Sequence, residues 1–465
     1  MKFHLIGVGG AGMSVVAELL LAEGHSVSGS DREASAVTAH LVQAGAHVTI
    51  GHTADAVPAD ATIVASSAIK ADNPELAIAR ERSQNIIHRS QALRFAAGEK
   101  DFVAVAGSHG KTTTSAMIAT ALDTLGREPS WAIGGSLQDG RSGGHLGAGS
   151  VLVAEADESD ASFLNYAPRI AVVTNIEADH LDHYGSEEAF FDAFAQFARR
   201  VVPGGMLIVC ADDDKALKLA QQAHGEGIRV GTFGRSDGRE LLTGGGEYVV
   251  IHDVPARPGF LSSADIEYRG GTYSLDLLMP GRHILLDAAG AWLVGVELGE
   301  DPAAMSVALR SFKGAARRFD LRGDVNGVRV VDDYAHHPTE VSATLTTARE
   351  VTSGKVRVIF QPHLYSRTQN FAREFAHALS LADDVIVTSV YAAREVPEDG
   401  VEGDAITVEL SSALYVPDMH EGARILAERS DPGDIIITMG AGSVTQLGGE
   451  IVDGLINRFG ARHDA

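Results

Sequence analysis

The sequence predicts an α/β protein of three domains, each built on a mainly parallel sheet. A length of 465 residues corresponds to about three domains of ordinary size. Short apolar runs alternate with segments of helical spacing, which is typical of parallel sheets with helical crossovers. The 51 glycines suit many tight turns between strands and helices. We predict domains at 1–99, 100–314 and 315–465.

Composition excludes several classes of function. The chain is 45% hydrophobic and 22% charged, with a formal net charge of −24. This charge argues against nucleic acid or an anionic membrane surface as the main partner, because both need a basic footprint. No apolar run approaches about 18 residues and no charged leader precedes an apolar segment, so we expect a cytoplasmic protein without membrane association. The single cysteine, Cys210, lies in an apolar run and is expected in a core strand, which excludes a disulfide framework.

The first domain is predicted to be Rossmann-like. Its apolar runs His4–Gly7, Val27–Ser30 and Thr62–Ser66 indicate parallel strands, and a glycine-rich turn, GVGGAGM, follows the first of them. Glycines let the backbone approach a diphosphate, and Asp31 at the end of the second strand could accept a hydrogen bond from a hydroxyl group. The pattern does not by itself distinguish NAD, FAD and a UDP-sugar.

The second domain opens with a phosphate-binding pattern. The apolar run Phe102–Ala106 predicts a strand, the loop after it ends in Gly110-Lys111-Thr112, and Ser115–Leu125 has helical spacing. In this arrangement backbone N–H groups and a helix N-terminus face the phosphates of a nucleoside triphosphate. The lysine spans the outer phosphates and the threonine holds Mg²⁺. Val105 stands where the first glycine of the full consensus is expected, and a glycine turn with a surface lysine is the alternative.

Carboxylates follow the next predicted strand, Val151–Glu155, in the segment AEADESD. A carboxylate at the carboxyl end of a strand lies where open α/β sheets bind ligands, and Mg²⁺ prefers such oxygen ligands. Alternation places Glu155 and Asp157 on one side, whereas Glu158 or Asp160 could cap the following helix.

His180 follows the strand Ile170–Asn175 and could hold a second ion or the acceptor, although a structural histidine is the common alternative. A long helix is predicted from Ser186 and a strand at Met206–Cys210. Gly-rich turns and alternating segments between residues 225 and 280 predict a small antiparallel sheet within this domain.

The third domain is also predicted to be Rossmann-like, because polar or glycine loops follow its strands. The predicted strands are Val328–Asp332, Lys355–Phe360, Asp384–Val390 and Asp434–Thr438. The segments DDYAHHPTE and FQPHLYSRT each follow a strand, and an Arg-Arg-Phe segment lies at the domain junction, where an arginine could reach a phosphate. For any single arginine, a salt bridge or a helix cap is the alternative.

Together these segments resemble the Mur ligases, ATP-dependent amide-forming enzymes of peptidoglycan precursor synthesis. The matching segments are GVGGAGMS, AGSHGKTTT, AEADESDASFL, TNIEADHLDHY, RRFD, DDYAHHPTE and FQPHLYSRT. They occur in family order from about residue 5 to 445, and they are most similar to the branch that joins L-alanine to UDP-N-acetylmuramate. The resemblance therefore implies these two substrates together with ATP and Mg²⁺. The oligomeric state is left open between monomer and homodimer.

The resemblance also implies roles for individual residues. Those implied to bind the UDP-sugar and the amino acid are Gly9, Gly10, Ala11, Gly12, Met13, Ser30, Asp31, Ser66, Ser67, His336 and His363. Those implied to bind ATP are Gly107, Ser108, His109, Gly110, Lys111, Thr112, Thr113, His283, Asp287, Arg318 and Asp333. Lys111, His180, Arg318 and Arg367 are implied to be catalytic, and Thr112, Glu155 and His180 to hold the metal.

Three positions depart from the family pattern. Phe194 stands near the position of a lysine that is carbamylated in other branches, which fits the alanine-adding branch. In the segment GRHILLD, Ile284 and Asp287 replace the family's asparagines, and Leu364 replaces an arginine that many relatives carry.

Three rival interpretations remain open. A sister ligase attaches a whole tripeptide to the same sugar nucleotide. The first glycine turn alone would fit a nicotinamide oxidoreductase. A regulatory protein could have kept the fold without the chemistry.

Overall fold

The computed structural model describes residues 1–235, 246–393, 395 and 401–460. The chain divides into two compact units, one of residues 1–279 and 284–313 and the other of residues 280–283 and 314–465. The first unit carries two sheets and the second carries one. The predicted α/β class is confirmed, whereas the three predicted domain boundaries stay a prediction. None of the helices in the described part of the chain has both the length and the apolar character needed to cross a membrane.

The first sheet has five parallel strands in the order β3-β2-β1-β4-β5. Its elements are β1 (Lys2–Ile6), α1 (Ala11–Ala22), β2 (Ser26–Asp31), α2 (Ala36–Gln43), β3 (His47–Ile50), β4 (Thr62–Ala65), α3 (Pro74–Glu81), β5 (Ile86–His88) and α4 (Arg89–Ala97). The strand order reverses between β1 and β4. Ligands of open α/β sheets bind at such a point, outside the carboxyl ends of the strands.

The second sheet has ten strands in the order β15-β14-β13-β12-β11-β10-β6-β9-β7-β8. Its elements are β6 (Asp101–Ala106), α5 (Lys111–Thr124), β7 (Ser130–Ala132), β8 (Gly144–His145), β9 (Val151–Glu155), β10 (Ile170–Val173), α6 (Leu181–Tyr184), α7 (Glu187–Ala198), β11 (Met206–Cys210), α8 (Asp214–Gly225), β12 (Val230–Gly234), β13 (Glu247–Val254), β14 (Ser262–Tyr268), β15 (Gly271–Leu277), α9 (Arg282–Glu297) and α10 (Pro302–Leu309). Strand β6 lies between β10 and β9 and is parallel to both.

The antiparallel segment predicted between residues 225 and 280 is present, and it continues the second sheet. Strand β13 pairs in parallel with β12 on one side and antiparallel with β14 on the other. Helix α5 begins at Lys111 rather than at Ser115. The three threonines after Lys111 carry no apolar periodicity, so the sequence pattern did not show this first turn. Helix α7 begins after Ser186, as predicted, and the Ser186 hydroxyl accepts a hydrogen bond from Ala189 N–H.

The third sheet has six strands in the order β16-β17-β21-β18-β19-β20. Its elements are β16 (Asp320–Val325), β17 (Val328–Asp333), α11 (Pro338–Val351), β18 (Val356–Phe360), α12 (Tyr365–Asn370), α13 (Ala372–Leu379), β19 (Asp384–Val387), α14 (Asp404–Glu409), β20 (Leu414–Tyr415), α15 (Met419–Arg429), β21 (Ile435–Met439) and α16 (Leu447–Phe459). All pairings are parallel except that of the edge strand β16 with β17.

The central strands of the second and third sheets are mostly apolar, and they are buried along their whole length. Every residue of β10, β11, β18 and β21 is buried, as expected for parallel strands covered by helices on both faces. Cys210 is the last residue of β11, which confirms its predicted place in a core strand. Burial raises the pKa of its thiol to about 12, so the thiol stays protonated and unreactive at neutral pH.

Candidate active site

The phosphate loop between β6 and α5 depends on two glycines in left-handed conformations. Gly107 has φ +133° and Gly110 has φ +83°, and a Cβ atom at Gly107 would overlap the Thr174 hydroxyl. An L-residue would therefore be strained at either position. Val105 is fully buried inside β6. The consensus glycine that is missing at Val105 thus falls within a strand, and the loop uses Gly107 instead.

The end of β10 holds the loop in place. Ser108 Oγ donates to the carbonyl oxygen of Glu177 (2.8 Å), and His109 N–H donates to Asn175 Oδ1 (2.9 Å). Thr174 Oγ1 donates to the His109 carbonyl oxygen. The His109 ring also lies 2.9 Å from a Glu177 carboxylate oxygen. Hydrogen bonds from the residues that follow β10 therefore fix the conformation of the loop.

Lys111 is held at the centre of this loop by a buried carboxylate. Its Nζ donates to Glu158 Oε1 (2.7 Å) and to the carbonyl oxygens of Gly107 (2.5 Å) and Ser108 (3.3 Å). Only 2% of the Glu158 side chain is exposed, and burial raises its pKa to about 7 although Lys111 opposes this. Burial would lower the pKa of Lys111, but Glu158 raises it above its usual value. Lys111 is therefore a buried cation whose charge is stabilised by Glu158.

His180 joins the same cluster. Its Nε2 lies 3.9 Å from Glu158 Oε1 and 3.5 Å from Asp179 Oδ2. The residue has φ +53°, and such a conformation in a residue other than glycine is often found at functional sites. The structure therefore brings Lys111, Glu158 and His180 together from segments that follow the adjacent strands β6, β9 and β10.

The predicted metal ligands Thr112 and Glu155 both lie at the side of the sheet where the adjacent strands β6 and β9 end. Thr112 lies buried in the first turn of α5, and Glu155 is the last residue of β9, where its Oε1 accepts a hydrogen bond from Gly134 N–H (2.7 Å). In the described residues Glu158 Oε2 is buried without a hydrogen-bond partner, so the cluster offers one more carboxylate oxygen. Such oxygen donors fit Mg²⁺.

The alternation predicted for Glu155 and Asp157 does not hold. Strand β9 ends at Glu155, so Asp157 lies in the following loop, where strand periodicity no longer applies. The Asp157 carboxylate accepts a hydrogen bond from the Arg89 guanidinium (2.9 Å). Asp160 accepts hydrogen bonds from the backbone of Ser162 and from the Ser67 hydroxyl. The acidic segment therefore divides, with Glu158 facing the phosphate loop and Asp157 and Asp160 facing the first sheet.

Asp287 and Ile284, which replace family asparagines, are both buried on α9. Asp287 Oδ1 lies 2.6 Å from the place that a Cβ atom at Gly110 would occupy. A carboxylate therefore packs directly against the phosphate loop, which explains why position 110 must be glycine. His283 is exposed in the first turn of α9.

The glycine turn after β1 is fastened to the end of β2. The N–H groups of Gly7 and Val8 donate to the Ser30 carbonyl oxygen (2.8 and 2.9 Å), and Gly9 N–H donates to Asp31 Oδ2 (2.8 Å). Helix α1 then begins at Ala11 with no side-chain cap and no acidic residue in its first turn. The first turn of α1 therefore has uncapped N–H groups and the positive end of a helix dipole, which suit an anionic ligand.

The predicted UDP-sugar residues take different positions around this turn. Ser30 is fully buried, and its hydroxyl donates to Glu75 Oε2 (2.7 Å) beneath the turn. Met13 packs in the core, so only its backbone borders the turn. Ser66 is half-buried after β4, and Ser67 is exposed and bonded to Asp160.

The second unit gathers its predicted residues after β17 and β18. Asp333 is buried, and its carboxylate accepts hydrogen bonds from the N–H groups of Phe319 (2.8 Å) and Ala335 (2.9 Å). Burial raises the pKa of Asp333 to about 6, although the Arg318 charge opposes this. The Arg318 guanidinium lies 5.0 Å from the centre of the Tyr334 ring.

The imidazole rings of His336 and His363 lie 5.7 Å apart, centre to centre. His336 Nδ1 is 3.3 Å from Glu340 Oε2, and Arg318 is 3.9 Å from the other Glu340 oxygen. The predicted residues Arg318, His336 and His363 therefore lie close together in the second unit. Arg367 is buried on α12. The N-cap residue of this helix is Leu364, which has φ +69°.

Sequence reasoning missed two charged residues of the site. The sequence predicts Glu158 or Asp160 as a helix cap, whereas Glu158 is the partner of Lys111. Arg89 was not singled out, yet it lies between the glycine turn and Asp157. The available signal for Arg89 was its place directly after a strand of the first sheet, at the edge where ligands bind.

Comparisons with known proteins agree with this geometry. Residues 2–100 match the profile described as "Mur ligase family, catalytic domain", residues 105–295 the "Mur ligase middle domain", and residues 317–442 the "Mur ligase, glutamate ligase domain". A Renibacterium salmoninarum protein named UDP-N-acetylmuramate–L-alanine ligase is 49% identical over 98% of this chain and 96% of its own. The chain belongs to the Mur ligase family.

Solved structures of Mur ligases agree with this membership. A crystal structure of UDP-N-acetylmuramate-alanine ligase MurC from Thermotoga maritima is 30% identical and covers 98% of this chain and 100% of its own, with a TM-score of 0.78. A murein peptide ligase from Psychrobacter arcticus is 23% identical over 98% of this chain and 99% of its own, with a TM-score of 0.71. At this identity the second likeness shows the Mur ligase fold alone.

Proposed function

We propose that this protein is an ATP-dependent ligase that joins L-alanine to the carboxylate of UDP-N-acetylmuramate in peptidoglycan precursor synthesis. The observation that carries the proposal is the cluster of Lys111, Glu158 and His180 around a phosphate loop at the N-terminus of α5. The names of the 49% identical relative and of the Thermotoga maritima structure support both substrates. The alanine-adding branch is also supported by Phe194, which is fully buried in the core where other branches are expected to carry a lysine.

A carboxylate and an amine do not condense unaided, since the carboxylate oxygen is a poor leaving group. In the proposed reaction the sugar carboxylate attacks the γ-phosphorus of ATP in line, and the bond to the β-phosphate oxygen breaks to release ADP. The neutral amine of L-alanine then attacks the acyl carbon. The resulting tetrahedral intermediate expels phosphate and forms the amide. No protein nucleophile is needed, so catalysis consists of positioning and charge stabilisation.

The first unit supplies the groups that act on the phosphates. The loop N–H groups and the N-terminus of α5 would hold the β- and γ-phosphates. The Lys111 ammonium would stabilise the negative charge of the transferring phosphoryl group. Thr112, Glu155 and His180 would hold Mg²⁺, which supplies further neutralisation of that charge.

We propose roles for the remaining predicted residues from their places in the motifs of the Mur ligase family. The glycine turn from Gly9 to Met13 would hold the UDP-sugar, together with Asp31, Ser66 and Ser67. In the second unit, Arg318 and Asp333 are proposed to bind ATP, while His336, His363 and Arg367 are proposed to act on the incoming amino acid and the acyl phosphate.

The test is phosphate release from ATP in the presence of UDP-N-acetylmuramate, with L-alanine, glycine, L-serine or the peptide of the recycling ligases added in turn. We expect release with L-alanine at the lowest amine concentration. Release with the peptide alone would assign the protein to the recycling branch. No release with any amine would contradict a ligase function and favour a nucleotide-binding protein without chemistry.

A further inference from the structure

Arg89 is the first residue of α4 and lies against the glycine turn of the first sheet. A Cβ atom added at Gly12 would overlap the Arg89 Nη1 atom and would lie 3.1 Å from its Cδ and Cζ atoms. Gly12 is the second residue of α1. The guanidinium therefore rests on the first turn of the helix that follows the proposed diphosphate-binding turn. Only 18% of the Arg89 side chain is exposed.

Burial would lower the pKa of Arg89, but the charges of Asp157 and Asp160 raise it above its usual value, so the guanidinium stays charged beside the turn. The N-terminus of a helix carries partial positive charge and favours anions. Arg89 occupies the first position of its own helix and also lies on the first turn of α1, which no side chain caps and which holds no acidic residue. The guanidinium thus lies beside the uncapped N-terminus of α1, and the two positive groups together favour an anionic ligand.

The two terminal nitrogens of the Arg89 guanidinium contact different neighbours. Nη2 donates to Asp157 Oδ2 (2.9 Å), across from the first sheet to the acidic segment after β9. Nη1 faces Gly12 and the glycine turn. One carboxylate therefore orients the planar guanidinium while leaving its other edge directed at the turn, and guanidinium groups bind phosphate oxygens strongly through such edges.

We propose that Arg89 binds the diphosphate of the UDP-sugar and that Asp157 positions it for this contact. This inference rests on the proposed function, since it takes the glycine turn as the UDP-sugar site. The assignment goes to the diphosphate because Gly12 belongs to the helix turn where such a group would meet backbone N–H donors.

The alternative is a purely structural link between the two sheets of the first unit. A structural link needs both partners, so Arg89→Ala and Asp157→Asn would have the same effect. In the proposed arrangement they differ, because Asp157→Asn weakens the positioning of the guanidinium but keeps the cation, whereas Arg89→Ala removes the cation itself.

The experiment measures equilibrium binding of UDP, UDP-N-acetylglucosamine and UDP-N-acetylmuramate by titration calorimetry, with thermal unfolding recorded for every variant. We expect Arg89→Ala to weaken binding of all three ligands by about 10- to 100-fold, which is the range for loss of a charged hydrogen bond. Arg89→Lys should lose less because it keeps the charge without the planar fork. Asp157→Asn should weaken binding less than Arg89→Ala, because the cation remains while its positioning partner is lost. Arg94→Ala, on the same helix but exposed and bonded to the Gly98 carbonyl oxygen, should be unchanged.

Equal weakening by Arg89→Ala and Asp157→Asn would show the structural link instead. Weakening confined to UDP-N-acetylmuramate would move the contact to the sugar carboxylate and overturn the diphosphate assignment. Unchanged binding by folded Arg89→Ala and Arg89→Lys would overturn the contact altogether. Failure of the wild-type protein to bind any of the three ligands would count against the proposed function rather than against Arg89.

Discussion

Lys111 and Asp333 are both charged groups whose behaviour is decided by burial. Removing a charge from water is costly unless a partner of opposite charge replaces the lost hydration. Lys111 meets this need through Glu158, and the phosphates of ATP would offer it a stronger anionic partner. Asp333 is satisfied by hydrogen bonds from backbone N–H groups and by the more distant Arg318.

Asp333 should therefore titrate in an unusual range. Its pKa is raised to about 6 in the folded protein from a usual value near 4. The folded state thus holds this proton more tightly than the unfolded state, and the contribution of Asp333 to the free energy of unfolding falls as the pH rises from about 4 to about 6. We expect the Asp333 carboxyl carbon to titrate near pH 6 in ¹³C NMR spectra.

Asp333→Asn provides the control for this assignment, because it removes the titrating proton. The free energy of unfolding of the variant minus that of the wild type should increase from pH 4 to pH 6 by up to about 3 kcal/mol. A difference that stays flat across this range, together with a carboxyl signal that titrates near 4, would show that Asp333 is not shifted.

At the scale of elements, the phosphate loop joins a strand to a helix, and hydrogen bonds to a neighbouring segment of the chain set its conformation. The loop residues bond to Thr174, Asn175 and Glu177, which follow β10, the neighbour of β6 in the sheet. Because these hydrogen bonds orient the loop, its N–H donors are preorganised for a phosphate group.

Gly107→Ala should damage this unit selectively. The new methyl group would overlap the Thr174 hydroxyl, and the residue would be held at φ +133°. We expect ATP affinity to fall by at least about tenfold, since a strain of 1–3 kcal/mol is typical of such conformations. The measurement is titration of the variant with ATP.

Gly126→Ala is the matched control for Gly107→Ala. Gly126 lies just after the C-terminus of α5, whereas Gly107 lies just before its N-terminus. Gly126 also has a left-handed φ, +74°, and no atom lies within 4 Å of a Cβ atom added there. Its substitution should lower stability by about 1 kcal/mol without changing ATP affinity. Equal losses of affinity in the two variants would mean that ATP affinity responds to backbone strain at either end of α5. The overlap with Thr174 would then not be the cause.

At the scale of the whole molecule, the proposed substrate sites are distributed over separate sheets. The glycine turn belongs to the first sheet and the phosphate loop to the second, while Arg318, Asp333 and His336 belong to the second unit. A substitution in one sheet should therefore remove one binding function and leave another intact.

Lys111→Ala tests this separation. We expect ligase activity to fall by at least about 100-fold, as is typical when a group that stabilises transition-state charge is removed. UDP-N-acetylmuramate should bind with unchanged affinity because the glycine turn lies on another sheet. Phosphate release measures the ligase activity, and calorimetric titration measures the affinity for UDP-N-acetylmuramate. Lys215→Ala, at an exposed lysine paired with Glu187, should change neither; loss of sugar-nucleotide binding in Lys111→Ala would contradict the division between sheets.

The sequence by itself determined the α/β class, the strand-loop-helix units and membership in the Mur ligase family. These features are local or ordered along the chain: a glycine turn, an apolar run and a helix start can each be identified within about a dozen residues. The missing consensus glycine is a matter of structure: Val105 lies inside β6, and Gly107 adopts the left-handed conformation in the loop.

Only the tertiary structure decided which charges meet. The carboxylates of the segment AEADESD are nearly equivalent in sequence, yet β9 ends at Glu155 and the loop after it turns Glu158 to Lys111 and Asp157 to Arg89. These partners are 47 and 68 positions apart along the chain. Their pairing depends on the path of a loop and on the order of strands in a sheet, which local periodicity does not encode because it describes only the face of a single element.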